Sequence, residues 1–475
     1  MTRVAVVTLG CPKNAVDSEG LGGLLAAGGH EVTDRVVGAD VALVNTCGFI
    51  DPARRETIAE VLDLVERKDA GDLKGLILTG CLVARSADDL SRSLPEVDAF
   101  VDFVAYPNIS AIVADVAAGR EKRRIHGEPG TRFDPAWWDA PMAAGPRLRF
   151  GRTPWAYLKI AEGCDRGCTF CAIPLMRGKL RSRPGEVVER EARGLVGLGV
   201  SELSLVSQDS VMWGRDTGGG TLVELLGRLA AIEGLKRLRL MYLHPQGVSD
   251  ELVDALLASD VVVPYFDLSL QHVSPSVLRR MGRWGGRGRF ERLIERIRAL
   301  DPNSAVRATF IMGFPGETDE DAAEVEDFVA DTDLDWVGVF TYSREEGTRS
   351  HDMADQVSPA LARERAERVA AAAEDTMERR AETLVGARLE VLVERLDLDD
   401  GLWTGRSGRE APEIDGEIRF STSASVSVGD YVEVTVTATD GADLVGVHRG
   451  RSGRPSEPGG SMPDEGAVAS AEGRA

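Results

Sequence analysis

Tyr157–Pro174 reads YLKIAEGCDRGCTFCAIP and sets Cys164, Cys168 and Cys171 in a Cys-x3-Cys-x2-Cys pattern. The apolar run Trp155–Ala161 in front of it reads as a strand, so the cysteines occupy the loop that follows a strand end. Three thiolates this close together can hold three corners of a cubane iron–sulfur cluster. No fourth cysteine stands at ferredoxin spacing, which leaves one iron open to a small molecule. The competing reading is a zinc knuckle, which needs a fourth Cys or His close by. The nearest histidine downstream is His244.

The motif, with aromatic Phe170 just before the third cysteine, resembles the radical S-adenosylmethionine superfamily. That resemblance implies that S-adenosylmethionine chelates the open iron and is cleaved to a carbon radical.

The three remaining cysteines are Cys11, Cys47 and Cys81. Each follows an apolar run: VAVVTLGC, VALVNTCGF and GLILTGC. Helical stretches such as ARRETIAEVLDLVERK (Ala53–Lys68) lie between them. Strand and helix in alternation predict a small parallel sheet, and ligands collect outside the carboxyl ends of such strands. The three thiols are therefore expected to converge and to hold a second cluster. The plain alternative is three small buried hydrophobes.

Composition narrows the classes. A chain of 475 residues holds about three domains, and 43% apolar content is enough for real cores. The formal charge of −21 discourages nonspecific binding to nucleic acid or to a membrane surface. No run of about 18 apolar residues predicts a membrane span. MTRVAVVTLG lacks the design of a signal peptide, and cysteines at cluster spacing suit a reducing cytoplasm.

The cluster domain is expected over 1–119. A Gly/Pro/Arg-rich linker containing Trp137 and Trp138 follows over 120–153. Six strand candidates come next: Trp155–Ala161, Glu202–Ser207, Arg237–Leu243, Val263–Leu270, Val306–Gly313 and Trp336–Tyr342. With helical patterns between them they predict an open (β/α)6 barrel over 154–381, its active loops at the C-terminal strand ends. A long helix is expected over Pro359–Leu384. Short alternating strands then predict a small antiparallel β-barrel over 382–449, and a Gly/Pro/Ser/Glu-rich tail over 450–475 reads as disordered. The fold class is thus α/β with an appended β-barrel.

Two cysteine trios, a six-unit barrel and a terminal β-barrel together resemble the methylthiotransferases, whose last domain is a TRAM domain. The resemblance runs from about Arg3 to Arg449. NTCGFIDPA, LVSQDS, MYLHPQGV, YFDLSLQHVSPSVLRRMGR, MGFPGET and GRSGREAPEIDG are similar to the branch that modifies an aspartate of small-subunit ribosomal protein twelve. VMWGRDTGGG departs from that branch's usual tyrosine-containing form. The resemblance implies two 4Fe-4S clusters, one on Cys164, Cys168 and Cys171 and one on Cys11, Cys47 and Cys81. It also implies S-adenosylmethionine as cofactor, an external electron donor and sulfur source, and β-methylthioaspartate as product. Gln208 is expected to hydrogen-bond the sulfonium ligand, and Arg307 to pair with its carboxylate. His244 and His272 end barrel strands and suit core or loop roles better than catalytic ones.

The last domain carries 14 acidic and 6 basic residues over 382–449, and no lysine. RNA binding rests on phosphate neutralisation, which this domain supplies poorly. An acidic barrel suits a basic protein partner instead. The nearest rival is a tRNA-adenosine methylthiotransferase with the same cofactors. A two-cluster electron carrier is more distant, because it needs neither a six-unit barrel nor an open iron.

Overall fold

The structure is a computed structural model that describes residues 1–120, 124–127 and 147–450. Trp137, Trp138 and the tail beyond residue 450 lie outside the described residues.

The first sheet contains β1 (Arg3–Thr8), β2 (Glu31–Thr33), β3 (Val41–Thr46), β4 (Gly75–Gly80), β5 (Ala99–Val101) and β6 (Arg124–His126), in the order β2-β1-β3-β4-β5-β6. All its pairings are parallel. β3 and β4 are buried along their whole length, and their apolar runs Val41–Val44 and Leu76–Leu78 do not alternate with polar residues, as a sheet covered on two faces requires. α1 (Pro12–Ala27) and α4 (Ile109–Ala117) pack on one face through Leu21, Leu25, Ile112 and Val113. α2 (Asp51–Asp69) and α3 (Cys81–Ser93) pack on the other through Val61, Leu64, Val83 and Leu90.

β6 falls inside the stretch read as a linker. Its Ile125 pairs with Phe100, so the sheet continues past residue 119. The end of that stretch is also structured. Leu148 N donates to Glu19 O at 3.0 Å, and Arg147 pairs with Glu191 at 2.8 Å, which staples α1 to the next domain.

That domain has six strands: β7 (Trp155–Lys159), β10 (Glu202–Val206), β11 (Arg237–Leu240), β12 (Tyr265–Gln271), β13 (Ala305–Met312) and β14 (Trp336–Thr341). They form parallel sheets β11-β10-β7 and β12-β13-β14, joined by single bridges at Leu238–Val262 and Leu243–Leu268. β7 and β14 do not pair with each other, so the barrel is open. β8 (Ala161–Glu162) and β9 (Arg181–Ser182) form an antiparallel clamp on the two ends of the loop that holds Cys164, Cys168 and Cys171.

After the helix Pro359–Glu382, β15 (Arg388–Leu396), β16 (Trp403–Arg406), β17 (Ile418–Thr422), β18 (Tyr431–Asp440) and β19 (Asp443–His448) close a barrel in the order β15-β16-β17-β19-β18. The β17–β19 pairing is parallel where the sequence reading expected antiparallel pairs throughout. Strand directions can alternate all the way round a closed ring only when the strand number is even, and five is odd.

The stretch from Arg406, the last residue of β16, to β17 caps the amino-terminal end of the larger barrel and touches all six of its strands. Tyr157 Oη donates to Pro412 O at 3.0 Å and Trp336 Nε1 to Arg409 O at 2.9 Å. Arg237 and Arg239 donate to Arg406 O and Gly408 O at 2.8 and 2.9 Å. Tyr265 Oη and Arg307 both reach Asp415, and Glu202 pairs with Arg406 at 3.1 Å. A cavity of about 260 Å³ remains at this seam between Arg307, Trp336, Met377 and Asp415, at the end of the barrel away from the cysteine loop.

Candidate active site

The strand-to-helix turns of the first sheet bring its cysteines together. Gly10 (φ 91°) and Gly80 (φ 91°) hold left-handed conformations that L side chains resist, and each precedes a cysteine that opens a helix. The turns are tightly stacked. A Cβ on Gly10 would stand 2.8 Å from Cys47 Sγ, and one on Gly48 would stand 2.7 Å from Leu82 Cα. Cys11, Cys47 and Cys81 are therefore neighbours, and none of the three forms a disulfide.

The second trio occupies the loop after β8. Arg166 N donates to Cys164 Sγ at 3.4 Å, Cys171 N to Cys168 O at 3.4 Å, and Arg283 Nη1 to Cys168 Sγ at 3.5 Å. Phe170 meets Phe314 of the MGFPGET turn edge to face, with centroids 6.4 Å apart. That turn is knit by buried Glu317, which accepts from Gly313 N at 2.8 Å and Phe314 N at 3.3 Å.

Electrostatics distinguish these thiols. Burial, helped by Asp209 and Cys168, pushes Cys164 up to about 11, and burial with its two partner thiols pushes Cys171 up to about 12. Burial also pushes Cys81 up to about 12, against the pull of Arg177. Burial works to raise Cys11 too, but Lys13 and Arg177 outweigh it and leave this thiol below its ordinary value. The raised thiols Cys81, Cys164 and Cys171 give up their protons readily only to a cation that binds the sulfurs. Among the described residues, no three His, Cys, Asp or Glu side chains stand close enough to ligate a single metal ion. A cubane asks less of the three sulfurs, because each thiolate binds a different iron. Both trios fit that donor set.

Between the trios lies a buried ion network. Arg177, in the helix Ile173–Arg177 that follows Cys171, donates from Nε to Cys81 Sγ at 3.2 Å. Its Nη1 reaches Asp17 and Glu162, each at 2.7 Å, and its Nη2 reaches Asn14 Oδ1 at 2.6 Å. Lys159 pairs with Asp17 and with Glu162. Burial works to raise Glu162, yet Arg177 and Lys159 hold its carboxyl down at about 2. The guanidinium thus ties α1 and α3 of the cluster domain to the loop of the second trio.

Gln208 stands where β10 ends. Its Nε2 donates to Glu162, and its Oε1 is buried without a hydrogen-bond partner among the described residues. That orphaned acceptor fits a polar ligand beside the second trio. Arg307 stands elsewhere. It is the third residue of β13, and Asp267 (3.5 Å) and Asp415 (3.2 Å) hold its guanidinium at the seam with the C-terminal barrel. Two carboxylates already answer its charge, so the geometry gives it a domain-seam role where the sequence reading expected a cofactor contact.

His244 is nearly buried. Its Nδ1 accepts from Gln246 N at 3.3 Å, and burial with Arg283 and Arg166 pushes it down to about 2, so it is neutral. His272 lies 3.5 Å from Glu317, behind the MGFPGET turn. Trp213, in the divergent VMWGRDTGGG segment, is buried and donates from Nε1 to Arg183 O at 3.1 Å. Sequence reasoning assigned no role to Lys13, Asn14, Asp17, Glu162 or Arg177. The available signal was their position, immediately after Cys11 or beside the second trio.

Comparison with known proteins agrees with this architecture. The Radical SAM superfamily model matches residues 158–329, the Uncharacterized protein family UPF0004 model residues 3–102, and the TRAM domain model residues 385–448. The ribosomal protein uS12 methylthiotransferase RimO of Geotalea uraniireducens is 42% identical over 446 residues, covering 94% of this chain and 98% of that protein. The protein of the same name from Kineococcus radiotolerans is 42% identical over 468 residues, covering 93% and 96%. Among solved structures, the radical S-adenosylmethionine methyltransferase TsrM of Kitasatospora setae aligns over 82% of this chain and 76% of its own. Its TM-score is 0.53 at 15% identity, a likeness of fold alone. With both cysteine trios, the open barrel and the closed C-terminal barrel in place, this chain belongs to the RimO family of methylthiotransferases, within the radical S-adenosylmethionine superfamily.

Proposed function

We propose that this chain adds a methylthio group to the β-carbon of an aspartate in ribosomal protein uS12, and that it does so with two iron–sulfur clusters. The observation that carries the two-cluster reading is the Arg177 bridge. One buried side chain touches Cys81 of the first trio and belongs to the helix that follows Cys171 of the second.

When bound, the clusters and S-adenosylmethionine supply the one-electron chemistry and the sulfur and methyl groups that an unactivated C–H bond requires. The chain supplies ligands, orientation and exclusion of water. Cys164, Cys168 and Cys171 would hold a cluster that supplies the electron for cleavage of S-adenosylmethionine. Cys11, Cys47 and Cys81 would hold a second cluster, which would supply sulfur. Gln208 offers its unpaired Oε1 to the cofactor. The Glu317-knit turn and Phe170–Phe314 contact fix the wall beside the second trio. The Arg177–Asp17–Glu162–Lys159 network keeps water from the space between the trios and fixes their separation.

The substrate is a basic protein drawn to an acidic surface, and no nucleic acid is required. Arg406 and Arg409, two of the few cations of the last domain, are buried against the large barrel and cannot serve phosphates. An external electron donor and sulfur source complete the cycle, and the setting is the cytoplasm. Among the described residues, no helix is long and apolar enough to cross a membrane.

Intact-mass and peptide mass spectrometry of ribosomal proteins, from a strain lacking the gene and from its parent, tests this reading. The expected result is loss of a methylthio group from one uS12 aspartate. An unchanged uS12, with a methylthio group missing from a tRNA adenosine instead, overturns it.

A further inference from the structure

Lys13 is a buried cation that no carboxylate pairs with among the described residues. It sits in the first turn of α1, two positions after Cys11, and only 8% of it is exposed. Its ammonium lies 3.5 Å from the centroid of the Tyr242 ring. The other buried cations between the trios are answered by carboxylates. Lys159 has Asp17 and Glu162, Arg177 has the same pair, and Arg183 has Glu191. Among the described residues no carboxylate pairs with Lys13, which has an aromatic face and the neighbouring Cys11 thiol. A charge withdrawn from water without a carboxylate partner is costly, and a ring face recovers only a small part of that cost.

The place is built. Tyr242 follows β11 with φ 60°, a left-handed conformation that is strained for an aromatic residue. Asp267 Oδ2 accepts from its backbone N at 2.9 Å, and its carbonyl accepts from Ser210 N at 3.1 Å. Those two bonds hold the strained turn and aim the ring at the cluster domain. Lys13 therefore bridges the two domains, with the first cysteine trio on one side and the barrel on the other.

We propose that Lys13 is the specificity-determining cation that receives the side-chain carboxylate of the target aspartate. This rests on the uS12 reading above. A carboxylate paired with Lys13 brings its adjoining β-carbon beside the Cys11 trio, where that reading needs sulfur to be delivered. It also gives a carboxylate partner to a buried cation that has none among the described residues, and it explains selection of aspartate over the isosteric asparagine. A neutral amide cannot answer an ammonium as a carboxylate does.

The test measures binding of purified uS12 to the anaerobically reconstituted holoenzyme, with uS12 carrying either its acceptor aspartate or asparagine there. Lys13→Met keeps the length and apolar stem of the side chain without its charge, and Lys13→Arg restores a charge. The parent is expected to prefer the aspartate form by at least about tenfold, from loss of one partner of a buried charge pair. Lys13→Met is expected to erase that preference and Lys13→Arg to recover part of it, with iron content and the midpoint potentials of both clusters as in the parent. A Lys13→Met enzyme that keeps the parent's preference overturns the proposal. So does a loss of binding accompanied by loss of iron or a shifted potential, which would assign Lys13 to the Cys11 cluster. A parent enzyme that leaves uS12 unmodified overturns the substrate reading itself, an outcome seen in the parent before any variant is compared.

Discussion

Arg177 Nε stands 3.2 Å from Cys81 Sγ although the two residues are 96 positions apart. The same guanidinium holds Asp17 and Glu162. One side chain thus links the cluster domain to the barrel loop, beside the Lys159–Asp17 pair and the pairs of Arg54 and Arg85 with Glu345. Removing one partner of a buried ion cluster leaves the rest uncompensated. Arg177→Met is expected to lower stability by about 3–5 kcal/mol. Arg177→Lys recovers only part, because a point charge cannot replace a planar fork. Urea unfolding of the metal-free protein measures both, and a parental midpoint for Arg177→Met would remove the bridge from the account.

The two trios are expected to fail differently. Cys168→Ala should abolish 5′-deoxyadenosine formation, whereas Cys47→Ala should spare it and stop sulfur insertion. Chromatography of the nucleoside and the mass of uS12 separate the two defects. A Cys47→Ala enzyme that still methylthiolates would show that the proposed division of labour is wrong.

The barrel seam gives a pH dependence. Burial works to raise Glu202, but Arg406, Arg239 and Arg237 outweigh it and hold the carboxyl at about 2, below its ordinary value of 4.5. A depressed carboxylate contributes stability above its unfolded value, and that contribution is lost as pH falls through the folded one. The seam should therefore weaken between about pH 4.5 and about pH 2. Glu202→Gln should cost about 3 kcal/mol near neutrality and flatten that acid limb. Thermal unfolding of the metal-free protein across this range checks the sign, and an unchanged slope would contradict it.

A chain of formal charge −21 attracts a basic protein through a field that salt screens. The rate of association with uS12 is expected to fall several-fold between about 0.05 and 0.5 M salt, with a smaller change in dissociation. Stopped-flow measurement resolves the two. A salt-independent association rate would mean that the acidic surface does not steer the substrate.

The sequence by itself determined the cysteine pattern, the six strand–helix units and the small terminal barrel. Those are local signals: apolar runs in β3 and β4, cysteine spacing after β8, and short alternating strands after residue 387. It also located the ends at which Cys11, Cys47 and Cys81 gather, because parallel sheets expose their carboxyl ends together. It did not show the parallel β17–β19 pair, which follows from closing an odd ring, nor β6, a three-residue edge strand too short to show a period. Arg307 looked like a cofactor contact because it lies in a barrel strand, and only packing showed Asp415 of another domain claiming its charge. Lys13 and Arg177 are ordinary cations in the sequence. Their significance comes from partners brought together by folding, since Coulomb interactions depend on distance and burial and not on order along the chain.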